Sequence, residues 1–162
     1  MNEEVEMPKQ LYWEDVEVGA ELPPISKIAT TQKLVMWAGA SGDFNPLHYQ
    51  ESFARSRGMP NVLVHGRLKA HWLIHLVENW IGEEGRIKKL SCQYRGEDYP
   101  RKMTSEITYE EGETWWCKGV VTKKYVEEGK HMVDCDIWVE NGRGEKTTPG
   151  KATVVLPSRQ TK

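Results

Sequence analysis

Cysteine is scarce and poorly spaced for structural work: Cys92, Cys117 and Cys135 are odd in number, far apart and never in a Cys-x-x-Cys arrangement. That spacing argues against a disulfide framework and a zinc site, and fits a reducing cytosol, so a cytoplasmic protein is expected. An excess of one charge is also lacking, since 22 Lys and Arg against 24 Asp and Glu leave a net charge of -2. This gives no electrostatic case for nucleic acid or an anionic membrane, although a local basic patch is compatible with it. The stretch Met1 to Gln10 is acidic and polar without an apolar core, so neither a signal peptide nor a transmembrane span is expected. No repeat or low-complexity segment stands out beyond the polar ends, 1–10 and 158–162.

What is present suits one folded unit. At 162 residues a chain can bury about two-thirds of its unfolded surface without disulfide help. The expected organisation is a flexible N-terminal tail over 1–10, a single domain over 11–157 and a C-terminal tail over 158–162. Seven tryptophans are many for this length and read as filling between a sheet and a helix.

Periodicity gives the elements. Residues 21–30, with Pro23-Pro24 before Ile25, Ile28 and Ala29, suit a first strand entered from an extended segment. Leu34, Val35, Trp37 and Ala38 fall at helical spacing after a capping Thr30 or Thr31, and Gly42 ends that helix. A further short helix is expected over 50–57, closed by Gly58. The longest helical pattern runs from Gly66 to Ile81, its stripe of Leu68, Trp72, Leu73, Leu76, Val77, Trp80 and Ile81 wide enough to be largely buried. Beyond Gly85 the chain reads as strands over 86–96, 103–111, 114–127, 131–140 and 150–156. Turn dipeptides Glu111-Gly112, Glu128-Gly129 and Asn141-Gly142 separate several of them. Alternation of Trp115, Cys117, Gly119 and Val121, and of Val133, Cys135, Ile137 and Val139, is that of half-buried antiparallel strands. One long buried helix followed by hairpins predicts an α+β domain with the helix on one concave sheet.

The chemistry concentrates in Gly42-Asp43-Phe44-Asn45-Pro46-Leu47-His48. Gly42 permits an unusual backbone angle, Pro46 fixes its own φ, and Asn45 before it is pushed out of the helical region. On so stiff a turn Asp43 and His48 can converge on one water, take its proton and return one. The plainer reading, Asp43 and Asn45 as turn formers and His48 as an early-helix residue, would lead for an isolated Asp-x-Asn-Pro.

The neighbours change that balance. Ser41 precedes the run, Ala54 follows it, and Val64-His65-Gly66 lies one short helix and a loop downstream. This set resembles the MaoC-like (R)-specific enoyl-CoA hydratases and dehydratases of the hot-dog superfamily. The resemblance spans roughly 12–157, with recognisable motif in 37–75. It implies a hot-dog fold, a curved antiparallel sheet wrapped around one long central helix. It also implies addition of water to a trans-2-enoyl thioester, giving an (R)-3-hydroxyacyl thioester, or the reverse. Under it Asp43 and His48 are catalytic. Gly66, at a helix N-terminus whose first N–H groups lack partners, would meet the thioester oxygen. His65 reads as a positioning residue bonded to backbone near the turn, and Asn45 as a support for the turn and the imidazole. No resident cofactor is expected, the acyl thioester of coenzyme A or of an acyl carrier protein being the substrate.

Arg67 departs from the family pattern, which has a small or flexible apolar residue after the His-Gly pair. It reads either as a solvated first-turn charge or as a partner for a polar acyl group or a coenzyme phosphate. With His71 and Trp72 it crowds the region of an acyl chain. His71 and His75 stand at metal-ligand spacing, yet no nearby carboxylate completes a motif, and hydrogen-bonded edge residues are the better reading, so no metal is expected. Arg95, Arg101, Lys102, Lys123 and Lys124 are candidates for the coenzyme's phosphates, with solvated surface the default. Exposed sheet edges predict a homodimer or higher homo-oligomer, a hetero-oligomer being the variant arrangement. The alternatives to a hydratase are a hot-dog thioesterase and a non-catalytic acyl-CoA-binding subunit.

Overall fold

A computed structural model describes residues 9–160, so most of the expected N-terminal tail lies outside the described residues. β1 (Glu21–Lys27), α1 (Thr31–Ser41), α2 (Glu51–Ser56) and α3 (Gly66–Ile81) come first, followed by β2 (Arg86–Cys92), β3 (Trp115–Glu127), β4 (Lys130–Glu140) and β5 (Lys146–Val155). The five strands form one sheet in the order β1-β3-β4-β5-β2, every pairing antiparallel. With α3 packed on the sheet face, this is the α+β hot-dog architecture. Pro23 and Pro24 fall in β1 at a register irregularity between Leu22 and Ile25. They are tolerated because β1 is an edge strand with one side free of ladder bonds.

The alternation along β3 and β4 buries Cys117, Val121, Val133, Cys135, Ile137 and Val139 against Trp72, Leu73, Leu76, Val77 and Ile81 of α3. Each large side chain so buried contributes about 1.5–3 kcal/mol relative to exposure, so the stripe is what seats α3. Glu128 and Gly129, at φ 49° and 73°, make the β3–β4 turn with both central residues left-handed, as such a hairpin requires. At the β4–β5 turn the left-handed residue is Gly144 rather than Gly142. There the Asn141 side chain accepts from the N–H groups of Arg143 and Glu145.

The expected strand over 103–111 is corrected. Only an isolated Met103–Tyr109 bridge forms, Ile107 is 87% exposed, and Thr104 and Ser105 close on Thr108 instead. This crossover from β2 to β3 is tied at its start to the mouth of α1, where Arg101 N–H donates to Ala29 O and Thr31 N–H to Arg101 O. Its alternating residues therefore have no sheet neighbour. β2 stops at Cys92 rather than at 96, and β5 begins at Lys146 rather than 150. Residues 158–160, expected to open a tail, are docked: Ser158 is buried and donates to Glu14, and Arg159 pairs with Asp15.

Candidate active site

The turn after α1 is built by local hydrogen bonds. Gly42 caps α1 at φ 75° and its N–H returns to Ala38 O, a left-handed position that suits glycine. Ser41 Oγ donates to Trp37 O at 2.7 Å and accepts from Asp43 N–H at 3.2 Å. Asn45 Oδ1 accepts from Leu47 N–H at 3.1 Å and so caps the single 3-10 turn Pro46–His48. Asn45 thus holds the turn, while the imidazole of His48 is held elsewhere.

His48 Nδ1 lies 2.8 Å from the carbonyl oxygen of Leu63. A carbonyl only accepts, so Nδ1 carries the proton and the lone pair of neutral His48 is on Nε2. Leu63 belongs to an irregular strap, residues 61–65, that leads into α3. Its own N–H donates to Leu47 O at 3.1 Å, and the next N–H, of Val64, donates to Asp98 O at 2.8 Å.

His65 closes the strap and is fully buried. Its Nε2 donates to Asp43 O at 3.2 Å, which leaves Nδ1 buried without a partner. The rings of His48 and His65 stack, centroids 3.8 Å apart. Burial first, then the neighbouring His48, holds His65 below its ordinary value of 6.5, so it is a neutral ring at pH 7.

A carboxylate oxygen of Asp43 and one ring nitrogen from each of His48 and His65 all lie within 4.8 Å of one another. One water can bridge such a gap, since two hydrogen bonds of about 2.8 Å meeting near the tetrahedral angle set their ends about 4.5 Å apart. A metal is a poorer fit. Ring planes only 21° from parallel direct their lone pairs side by side, whereas chelation needs them aimed at one point.

Gly66 opens α3 beside this group. The N-cap His65 gives the first turn no side-chain hydrogen bond, and Leu68 and Lys69 N–H both turn back to His65 O. The Gly66 N–H keeps no intramolecular partner among the described residues. A Cβ at this position would come within 2.8–3.0 Å of the Tyr94 ring, so the space left by the missing side chain is filled by an aromatic that sequence reading did not single out. Arg67 is exposed and without an ion pair among the described residues.

Next to His48 is a pocket of about 230 Å³, walled by Val35, Tyr49, Val62 and Met103, with the Lys102–Glu51 pair at its rim. His71 and His75 serve different neighbours: His71 packs on Trp37, and His75 Nδ1 accepts from Lys27 Nζ. Of the candidate phosphate cations, Arg101 is fixed to Gly112 O, Glu113 O and Thr114, Lys102 to Glu51, and Lys124 to Val16 O. Arg95 bonds Gln93, and Lys123 lies over Tyr125. Also unforeseen is the buried pair Lys69–Asp98, although Lys69 sits three and four residues before Trp72 and Leu73, on the apolar stripe itself.

The family model for the MaoC like domain matches residues 15–129. Among solved structures, the fold is similar to the (R)-hydratase from A. caviae involved in PHA biosynthesis, with TM-score 0.74 and 23% identity, covering 89% of this chain and 99% of that one. It is also similar to R-hydratase PhaJ1 from Pseudomonas aeruginosa, with TM-score 0.78 and 18% identity over 93% of this chain and 88% of the other. Fatty acid synthase subunit beta of Saccharomyces cerevisiae is 32% identical over 60 residues, which is 36% of this chain and 3% of that protein. The chain thus spans about 3% of the length of the curated relatives it matches.

Proposed function

The chain belongs to the MaoC-like domain family, and we propose that it interconverts a trans-2-enoyl thioester and an (R)-3-hydroxyacyl thioester, with Asp43 and His48 gripping one water. The observation that carries this reading is the tautomer of His48. With Nδ1–H committed to Leu63 O, the basic lone pair is on Nε2, where it would take a proton from a water shared with Asp43, whose carboxylate lies within 4.8 Å of a ring nitrogen of His48.

In the hydration direction His48 Nε2 takes a proton from the water as its oxygen bonds to C3, and the C2=C3 electron pair moves toward the thioester. The enolate-like oxygen so formed accepts from Gly66 N–H at the positive end of α3. A proton then passes from the Asp43–His48 site to C2, so that H and OH of one water end on adjacent carbons and both side chains are restored. General acid–base help is worth about 10²–10⁴-fold and one oxyanion donor about 10²–10³-fold. His65 is a neutral support for His48, and Asn45 a support for the turn. Arg67, exposed beside Gly66, would meet a polar acyl group or a coenzyme phosphate.

The pocket of about 230 Å³ beside His48 offers room for a short or branched acyl group. Coenzyme A or an acyl carrier protein would deliver the thioester, and no resident cofactor is needed. β1 and β2 leave open edges, which favours a homodimer or higher assembly. No helix among the described residues is long and apolar enough to cross a membrane, and the three cysteines are free, in keeping with a reducing cytosol. The test is loss of the enoyl thioester absorbance across a panel of crotonyl, branched and dicarboxylic CoA esters, with chiral analysis of the product. Release of free thiol in place of hydration would identify a thioesterase, and inertness to the whole panel a binding subunit.

A further inference from the structure

Inside the apolar core between α3 and the sheet sits an ion pair. Lys69 Nζ lies 2.5 Å from Asp98 Oδ2, and both side chains are all but sealed from solvent, at 2% and 0% exposure. Each partner is held by one further bond: Lys69 Nζ donates to Gly96 O at 3.1 Å, and Trp115 Nε1 donates to Asp98 Oδ1 at 2.8 Å. Taking both charges from water is costly, and a buried pair of this kind is commonly no more stabilising than an apolar replacement of similar volume. What the pair does provide is a fixed geometry. It joins α3, the crossover at 96–98 and β3.

The backbone of Asp98 carries that geometry to the site. Asp98 O accepts from Val64 N–H, and Leu63, one residue earlier, presents the carbonyl that receives His48 Nδ1–H. Val64 is flanked by Leu63 and by His65, the ring on which His48 stacks. We propose that Lys69, Asp98 and Trp115 form a buried clamp of positioning residues that holds the 61–65 strap in register and thereby fixes His48 as the Nδ1–H tautomer, with Nε2 facing the reaction. None of the three touches the reacting atoms. The consequence for catalysis rests on the hydration reading, whereas the tautomer is a property of the free protein. When the clamp is broken, the Leu63 carbonyl shifts, the Nε2–H form of His48 becomes populated, and the base is lost in that fraction of molecules. Misplacements of about 1 Å can cost a catalytic group on the order of 10²-fold.

The experiment compares the wild type with Lys69→Met, with the neutral pair Lys69→Met/Asp98→Asn, and with Trp115→Phe, which removes only the indole donor. Imidazole nitrogen shifts of His48 report its tautomer without any substrate, and steady-state hydration of the best enoyl-CoA gives kcat and KM. The clamp predicts one Nδ1–H signal in the wild type and a mixture in each variant that folds. It also predicts a kcat lowered on the order of tenfold or more, with KM changed by less than about threefold. Folded variants that keep the pure Nδ1–H form overturn the proposal, whatever their turnover. Should Lys69→Met fail to fold, the neutral pair and Trp115→Phe decide by the same signal. A wild type inert toward every enoyl thioester would defeat the proposed function alone and leave the tautomer measurement to judge the clamp.

Discussion

The imidazole rings of His48 and His65 lie face to face, 3.8 Å between centroids and 21° from parallel. Two rings so close cannot both be imidazolium cations without strong repulsion, and burial keeps His65 the neutral one. The stack therefore puts a neutral wall behind His48.

Acid should weaken the fold through this wall. His65 titrates below 6.5 in the folded protein and near its ordinary value when unfolded, so the unfolded chain binds more protons as pH drops through that window. Stability is then fully present above about pH 6.5 and declines as pH falls toward the depressed folded value. His75, pushed down by burial and by the Lys27 ammonium, acts with the same sign, so the comparison is a difference. Melting midpoints between pH 7 and pH 5 should drop further in the wild type than in His65→Gln. Parallel curves would exclude a buried neutral His65.

The Gly66–Tyr94 contact makes a structural prediction. Gly66→Ala places a Cβ within 2.8–3.0 Å of the Tyr94 ring, so the ring must move, and a loss of about 1–3 kcal/mol is expected from overpacking. In Tyr94→Ala the same glycine substitution should cost little, because the ring that the new Cβ would meet is gone and alanine leaves the unfolded chain less freedom than glycine. Denaturant unfolding of the four proteins gives the coupling, and additive losses would mean the ring does not occupy that space.

Thiol chemistry should be confined and harmless. Burial pushes Cys117 and Cys135 up to about 12, which leaves almost no thiolate at neutral pH. A small alkylating reagent on native protein should reach Cys92 alone, the half-buried one, with turnover unchanged. Mass analysis of the labelled protein, alongside the activity, checks both halves.

The elements were legible where a period ran unbroken. The stripe of α3 and the alternation of β3 and β4 predict the buried residues because a helix on one sheet face needs both. Residues 103–111 show the limit of that signal. Ile107 and Tyr109 alternate as a strand would, yet the chain around Arg101 is drawn to the mouth of α1, so the alternation has no sheet to meet. At the site, the Asp43–His48 turn was readable from local stereochemistry, since Gly42, Asn45 and Pro46 act within a few residues. The carbonyl of Leu63, the Tyr94 ring and the Asp98 end of the buried pair were not, because each depends on a contact between segments distant in the chain. Lys69 alone left a trace, a cation standing on an apolar stripe.

The central claim, that Asp43 and His48 act on one water, is tested most directly by a double-mutant cycle in kcat/KM. Asp43→Asn and His48→Ala should each lower hydration of the best enoyl thioester by about 10²–10⁴-fold with the fold intact, and the double variant should be little worse than the worse single, because groups acting as one unit lose their joint contribution once. Near-normal turnover in His48→Ala, or losses that multiply in the double variant, would contradict the shared water.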